Sequence, residues 1–191
     1  MELAEEKAGF IDNETTVSAA RFLNNSFGQG LQTTQIQLAA AYGALVNGGR
    51  YIKPTIVSGI EKHNPTTNTS EIMETSPQVL NQLIRPEVSE EMKTALLQVL
   101  EQNAEVGDNA RIPSYLIGAK SGTSQIAFRG KYQRGNGRTQ GTFVGVVTID
   151  NPQYVVLVRT SRPRTNQWGG RTSGKIFRDV ARFLIGYSLI E

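Results

Sequence analysis

The chain has 191 residues, 38% hydrophobic and 19% charged, an ordinary globular balance that suits one domain, or most of one, with a substantial core. The absence of cysteine excludes disulfides and thiolate metal sites, and the single histidine, His63, lies in the polar stretch Glu61-Lys62-His63-Asn64-Pro65, which argues against a histidine-dependent catalytic triad. The net charge of +3 is uneven: residues 1–100 carry 7 basic and 11 acidic side chains, residues 101–191 carry 13 and 6.

A basic half of this kind suits nucleic acid, an anionic lipid surface or a carboxylate ligand, although most such charge is simply solvated. Apolar runs are only a few residues long, so no transmembrane segment is expected. The opening Met1-Glu2-Leu3-Ala4-Glu5-Glu6 is acidic where a signal peptide is basic and then apolar. The chain is therefore expected to be soluble, with no targeting segment.

Residues 1–25 show no long periodic run and read as an irregular lead-in. Ser26-Phe27-Gly28-Gln29-Gly30 follows as a turn-rich segment. Thr34 and Gln37 then fit a capping box, with Leu38, Ala41, Tyr42 and Leu45 at helical spacing and Asn47-Gly48-Gly49 as a left-handed stop. This predicts a central core helix. A short extended piece is expected at Tyr51 to Val57, and residues 58–86, rich in Asn, Thr, Ser, Glu and Pro, read as a polar surface excursion. A second helix is predicted from Ser89, with Met92, Ala95, Leu96, Val99 and Leu100 as its apolar stripe.

Asn103 to Pro113 leads into Tyr115-Leu116-Ile117, and then comes Ala119-Lys120-Ser121-Gly122-Thr123-Ser124-Gln125. Flanked by apolar runs, this unit is expected on a strand, with Lys120 and Gly122 on one face and Ser121 and Thr123 on the other. An ammonium, two hydroxyls and a backbone left approachable at Gly122 suit an anionic, peptide-like ligand. Arg129 to Arg138 forms a basic loop. Two further strands, Thr142 to Thr148 and Tyr154 to Arg159, are joined by a short turn and predict an antiparallel hairpin. A last helix, with Phe177, Val180, Ala181 and Leu184 inward, supplies its cover. The predicted class is α+β, helices packed on a small antiparallel sheet, with residues 1–191 forming a single unit.

Several of these segments, in this order, resemble the transpeptidase domain of penicillin-binding proteins, especially the monofunctional class B type. They are Ser26-Phe27-Gly28-Gln29-Gly30, the Gln37-Leu38-Ala39-Ala40-Ala41-Tyr42 helix with its Asn47-Gly48-Gly49 stop, Gly118 to Gln125, Phe143-Val144-Gly145, Asn151-Pro152-Gln153-Tyr154-Val155-Val156 and Gly169-Gly170. Lys120-Ser121-Gly122-Thr123 looks like the family's third active-site motif. The resemblance covers about Phe10 to Tyr187 and implies part of the serine β-lactamase/transpeptidase-like fold. The departure is as informative as the match: the family's nucleophile comes from Ser-x-x-Lys and its second motif is Ser-x-Asn. Neither pattern occurs in the 191 residues. In the family both lie upstream of the matched region, as do the first strands of its five-stranded sheet, so the chain is expected to be the C-terminal portion of such a domain.

On the matching positions the resemblance implies catalytic roles for Lys120 and Thr123 and substrate-binding roles for Lys120, Ser121, Gly122 and Thr123. The Lys120 ammonium would hold a positive field and assist proton transfer. The Ser121 and Thr123 hydroxyls would hold the carboxylate of a D-Ala-D-Ala stem peptide or a β-lactam. Gly122 would permit close strand-to-substrate pairing, and the Thr123 N–H would supply half of an oxyanion hole. No metal and no organic cofactor is implied, and the chain alone is expected not to acylate, since the nucleophile is lacking. With an upstream anchor, the site would face the outside of the bacterial cytoplasmic membrane. A second reading is a catalytically inactive interaction module of cell-wall synthesis that binds partner proteins. A nucleic-acid-binding role is disfavoured, because the basic half carries no RNP aromatic pattern, zinc ligands or recognition helix.

Overall fold

A computed structural model of the chain describes residues 2, 5–11, 17–129 and 131–187. Met1, Leu3, Ala4 and residues 12–16 of the expected lead-in, and Gly130 of the basic loop, lie outside the described residues. The lead-in is corrected by a helix, α1 (Ala19–Ser26), whose first turn is capped by the Ser18 hydroxyl accepting from the Arg21 N–H. Its eight residues are too short for a periodic pattern to announce it, and none of them is buried.

Helix α2 (Gln35–Val46) starts where the sequence predicts. The Thr34 hydroxyl accepts from the Gln37 N–H at 3.2 Å, and the Gln37 carboxamide oxygen accepts from the Thr34 N–H at 3.0 Å. The same oxygen also accepts from the Gly9 N–H at 3.0 Å, which ties the start of the chain to this helix. Gly48 (φ 81°) and Gly49 (φ 87°) stop it in the left-handed region that glycine occupies without strain. Ala44 and Val46 are its buried residues, and Ala41, expected to face inward, is exposed.

Strand β1 (Arg50–Ile52) pairs antiparallel with β4 (Val79–Gln82), and between them β2 (Gly59–Asn64) and β3 (Thr69–Glu74) form a separate hairpin. This is the polar excursion, exposed nearly throughout, but it is ordered by ladder hydrogen bonds where the composition suggested loop. Helix α3 (Pro86–Gln102) begins three residues before Ser89, with Pro86 in its first turn. Ser89 is therefore no cap. It is fully buried, its hydroxyl donating to the Leu45 carbonyl at 2.8 Å and accepting from the Gly48 N–H at 3.0 Å, so it pins α3 to the end of α2. A further helix missed in the sequence, α4 (Ala104–Ala110), is capped by the Asn103 carboxamide and buries Val106, Gly107 and Ala110. Glycine at 107 and asparagine at 109 weakened its helical signal.

The central sheet has three antiparallel strands in the order β5 (Ile117–Gln125), β8 (Thr139–Val147), β9 (Tyr154–Ser161). The small pair β6 (Ala127–Phe128) and β7 (Lys131–Tyr132) structures part of the basic loop. Helix α5 (Gly169–Gly186) covers one face of the sheet and has Gly169-Gly170 as its first residues. Its buried side is Gly169, Gly170, Ser173, Gly174, Phe177 and Ala181, whereas Val180, expected inward, is exposed. The main core joins that side to Leu100, Val106, Ala110, Ile112, Ile117, Ala119, Phe143 and Val147. Phe143 and Phe177 stack tilted at 5.0 Å between centroids, and a Cβ at Gly145 would strike the Phe177 ring. A second cluster on the other face joins Val46 and Leu96 to Val146 and Ile149. Among the described residues the outer edges of β5 and β9 have no partner strand. Ile176, Val180, Phe183 and Tyr187 form an exposed stripe along α5.

Candidate functional site

Strand β5 lies at the edge of the central sheet among the described residues, so successive residues turn both their N–H and C=O groups alternately toward β8 and toward the outer edge. The Leu116 carbonyl accepts from the Ile149 N–H and the Ile126 N–H donates to the Arg138 carbonyl, so even-numbered residues turn their polar backbone toward β8. Ser121 and Thr123 consequently present N–H and C=O groups to the free edge. Side chains alternate as well. Ile117 and Ala119 enter the core beneath α5, and Ser121 and Thr123 continue that row. Gly118, Lys120, Gly122 and Ser124 line the opposite face, where a Cβ at Gly118 would meet Ile149 and Leu96. The division expected from strand geometry is thus observed.

That opposite face is the floor of a cleft of about 670 Å³, roofed by Phe27 to Gln35 and by Leu38 and Tyr42 of α2. Lys120, Ser121, Gly122 and Thr123 all line it. The Lys120 ammonium donates to the Ser121 carbonyl at 2.6 Å and stays exposed. The Thr123 hydroxyl accepts from the Gly169 N–H, the first donor of α5, at 2.9 Å, which occupies one of the hydroxyl's lone pairs and leaves its proton for another acceptor. Gly122 has open space where a side chain would stand, the nearest atom being Thr142 Cβ at 4.0 Å. Nothing in the fold requires glycine there; what its lack of side chain keeps clear is the strand edge. Register places Gly122, Thr142 and Arg159 in one row across the sheet, so the guanidinium of Arg159 lines the same cleft.

Among the described residues, the cleft's lining includes two cations, Lys120 and Arg159, and no carboxylate. It also includes Tyr42, whose phenol is pushed above its ordinary value by burial and so stays neutral across the physiological range. The floor and its cations, the outward backbone and the neutral roof suit an extended ligand with an anionic end. Arg159 was not singled out in the sequence; only its register opposite Gly122 reveals it, and register is invisible before strands are paired. Trp168, at the start of α5, is exposed, as are Lys131 and Tyr132 in β7; His63 sits on exposed β2 within 3.4 Å of the Ser70 hydroxyl, remote from the sheet's ladder. No group of three or more potential metal-ligating side chains occurs among the described residues. No helix among them is long and apolar enough to cross a membrane.

Comparison with known proteins adds to this geometry. The family model for the penicillin binding protein transpeptidase domain matches residues 1–182. Stage V sporulation protein D of Bacillus subtilis is 33% identical over 178 residues, covering 93% of this chain and 25% of that protein. A peptidoglycan D,D-transpeptidase FtsI homolog of Mesostigma viride is 35% identical over 170 residues, covering 84% of this chain and 28% of its own length. Among solved structures, penicillin binding protein 3 of Mycobacterium tuberculosis superimposes with a TM-score of 0.81 at 25% identity, covering 97% of this chain and 42% of that one. The transpeptidase domain of Burkholderia pseudomallei penicillin-binding protein 3 gives 0.78 at 27%, covering 98% and 53%. The chain spans about a quarter of the length of the curated relatives it matches.

Proposed function

The chain belongs to the penicillin binding protein transpeptidase domain family, and from that premise we propose that it supplies the substrate-binding strand of a peptidoglycan D,D-transpeptidase. The observation that carries this reading is Lys120-Ser121-Gly122-Thr123 on the outer edge of β5, lining a cleft with two cations and, among the described residues, no carboxylate. Antiparallel pairing of a stem peptide against the outward N–H and C=O groups of Ser121 and Thr123 would place its terminal D-Ala-D-Ala along the cleft. Lys120 would neutralise the carboxylate and hold the positive field of the site. The Ser121 hydroxyl and the remaining proton of the Thr123 hydroxyl would donate to that carboxylate. The Thr123 N–H would stabilise the oxyanion of the tetrahedral intermediate, a donor whose loss typically costs on the order of a hundredfold or more in rate. A β-lactam, as a mimic of the peptide, would take the same contacts.

No Ser-x-x-Lys and no Ser-x-Asn occurs in the sequence, so the acyl-enzyme step needs residues from outside these 191. The outer edge of β9, which has no partner strand among the described residues, is where the first strands of the family's sheet would join. Residues 1–191 would then be one portion of a single transpeptidase domain. The missing motifs also suit a second reading, an inactive module of cell-wall synthesis that keeps the binding strand and engages partner proteins.

Labelling by a fluorescent penicillin separates the two. The chain alone is expected to give no covalent adduct, and supplying an upstream segment that carries both motifs is expected to restore one that Lys120→Ala removes. A label on the chain alone would overturn the dependence on outside residues. Persistent failure of a folded, reconstituted pair to label would favour the inactive module.

A further inference from the structure

The segment that joins β9 to α5 ends against the motif, and it is held one peptide unit at a time. In the unit between Gln167 and Trp168, the carbonyl accepts from the Thr139 hydroxyl at 2.9 Å and the N–H donates to the Asn166 carboxamide oxygen at 2.8 Å. In the next unit, the Trp168 carbonyl accepts from the Thr172 hydroxyl at 2.9 Å and the Gly169 N–H donates to the Thr123 hydroxyl at 2.9 Å. Two consecutive peptide planes are thereby fixed at both ends, and the last of the four bonds reaches β5.

Thr139 is the member of this set that packing alone explains least. It opens β8 opposite Gln125 and is only 3% exposed. Burying a hydroxyl is costly unless it is bonded, and a valine of nearly the same shape would fill the place without that cost. What the hydroxyl supplies is a fixed seat for the Gln167 carbonyl, and through the shared plane a fixed direction for the chain that enters α5. That direction matters to Thr123. An N–H can only donate, so the Thr123 oxygen is committed to accepting on the α5 side and its proton turns away from α5. Thr123 lines the cleft, which is where that proton is then offered. Neither Thr139 nor Asn166 lines the cleft itself.

We infer that Thr139 and Asn166 are positioning residues for recognition of the ligand's carboxylate: by holding the plane between Gln167 and Trp168 they aim the Gly169 N–H at Thr123, whose hydroxyl then meets the ligand as a proton donor. This rests on the proposed function, since it takes the carboxylate of the peptide to lie against Thr123.

Two readouts test it. Hydrogen exchange at the Gly169 amide follows the bond to Thr123 with no ligand present. Titration with N-acetyl-D-Ala-D-Ala and with its C-terminal carboxamide follows what the hydroxyl does for a ligand. Thr139→Val is expected to speed Gly169 exchange and to weaken the carboxylate peptide about three- to tenfold, and the carboxamide less, because a hydrogen bond to a charged acceptor is the stronger. Thr139→Ser, which keeps the hydroxyl, should behave as the unsubstituted chain. Because valine at a buried site risks the local packing, Asn166→Ala, at a half-buried position, is the second variant, with the same expected pattern. On a Thr123→Val background neither substitution should weaken carboxylate binding further. Unchanged Gly169 exchange in both variants, a loss that falls equally on the two peptides, or a loss that persists without the Thr123 hydroxyl overturns the positioning role while the proposed function stands. Failure of the unsubstituted chain to bind either peptide overturns the proposed function and the positioning role with it.

Discussion

The two faces of the central sheet are built from the same three strands and do opposite things. Under α5 the residues at odd positions of β5 and β8 are sealed: Ile117, Ala119, Phe143 and Val147 are almost wholly out of water, and Gly145 has given up its side chain so that Phe177 can lie flat against the strand. On the other face, beyond the small cluster at Val146, the even positions Lys120, Gly122 and Ser124 open into a trough. Strand parity thus separates two demands that conflict when one surface must meet both. A row that closes the core cannot also be kept polar and unpaired for a ligand, and here it does not have to be.

The largest expected effect breaks the sealed face. Phe177→Ala should cost about 3–5 kcal/mol in a urea or guanidinium titration, because it opens a cavity against Phe143 and leaves Gly145 with nothing beside it. Lys120→Ala, on the open face, should shift the same midpoint very little while removing peptide binding. If both variants lost stability equally, the division between faces would be wrong.

A smaller effect is expected where the faces meet. A methyl at Gly169 would collide with the Gly122 carbonyl and press on the Thr142 N–H at 2.9 Å. Gly169→Ala should therefore cost about 1–3 kcal/mol and, unlike Phe177→Ala, weaken peptide binding in the fraction that remains folded. Calorimetric titration at a temperature well below the unfolding transition reads the two consequences separately.

How much of this was legible beforehand follows from range. The alternation on β5, the capping box at Thr34 and Gln37 and the hairpin of β8 and β9 depend on neighbours a few residues apart, and each was readable. Ser89 was not: as a serine ahead of Glu90 and Glu91 it has the look of a cap, yet its hydroxyl reaches 41 residues back to the Gly48 N–H. α4 was hidden by its glycine and brevity, and α1 by having no buried side to mark its period. Of the site, the motif was visible and the cleft around it was not. Arg159 and Gln140 enter the cleft only through cross-strand register, while Gln32 enters through the α1–α2 connection.

A third prediction bears on the roof of the open face. Gln37 accepts from both Thr34 and Gly9, so Gln37→Ala should cost about 1 kcal/mol and loosen the segment before α1 more than α2 itself, as hydrogen exchange at Gly9 and Phe10 would record. The smallest effect is expected from Tyr42→Phe. Burial raises the folded phenol above its ordinary value near 10, so on raising the pH the unfolded chain ionises first. The stability tied to the neutral ring is whole below that ordinary value and is lost as pH climbs through it toward the folded one. Tyr42→Phe should flatten that alkaline slope and leave neutral-pH stability almost unchanged; a slope that persisted would assign it to another group.

The seating of Gly169 against the Gly122 carbonyl has a consequence for how such a protein changes over generations. The geometry of the strand that lines the cleft is set partly from behind, through a helix none of whose described residues lines the cleft. Inheritance can therefore retune affinity by altering α5 while every cleft side chain stays the same, and sequence comparison confined to the motif would score such variants as identical.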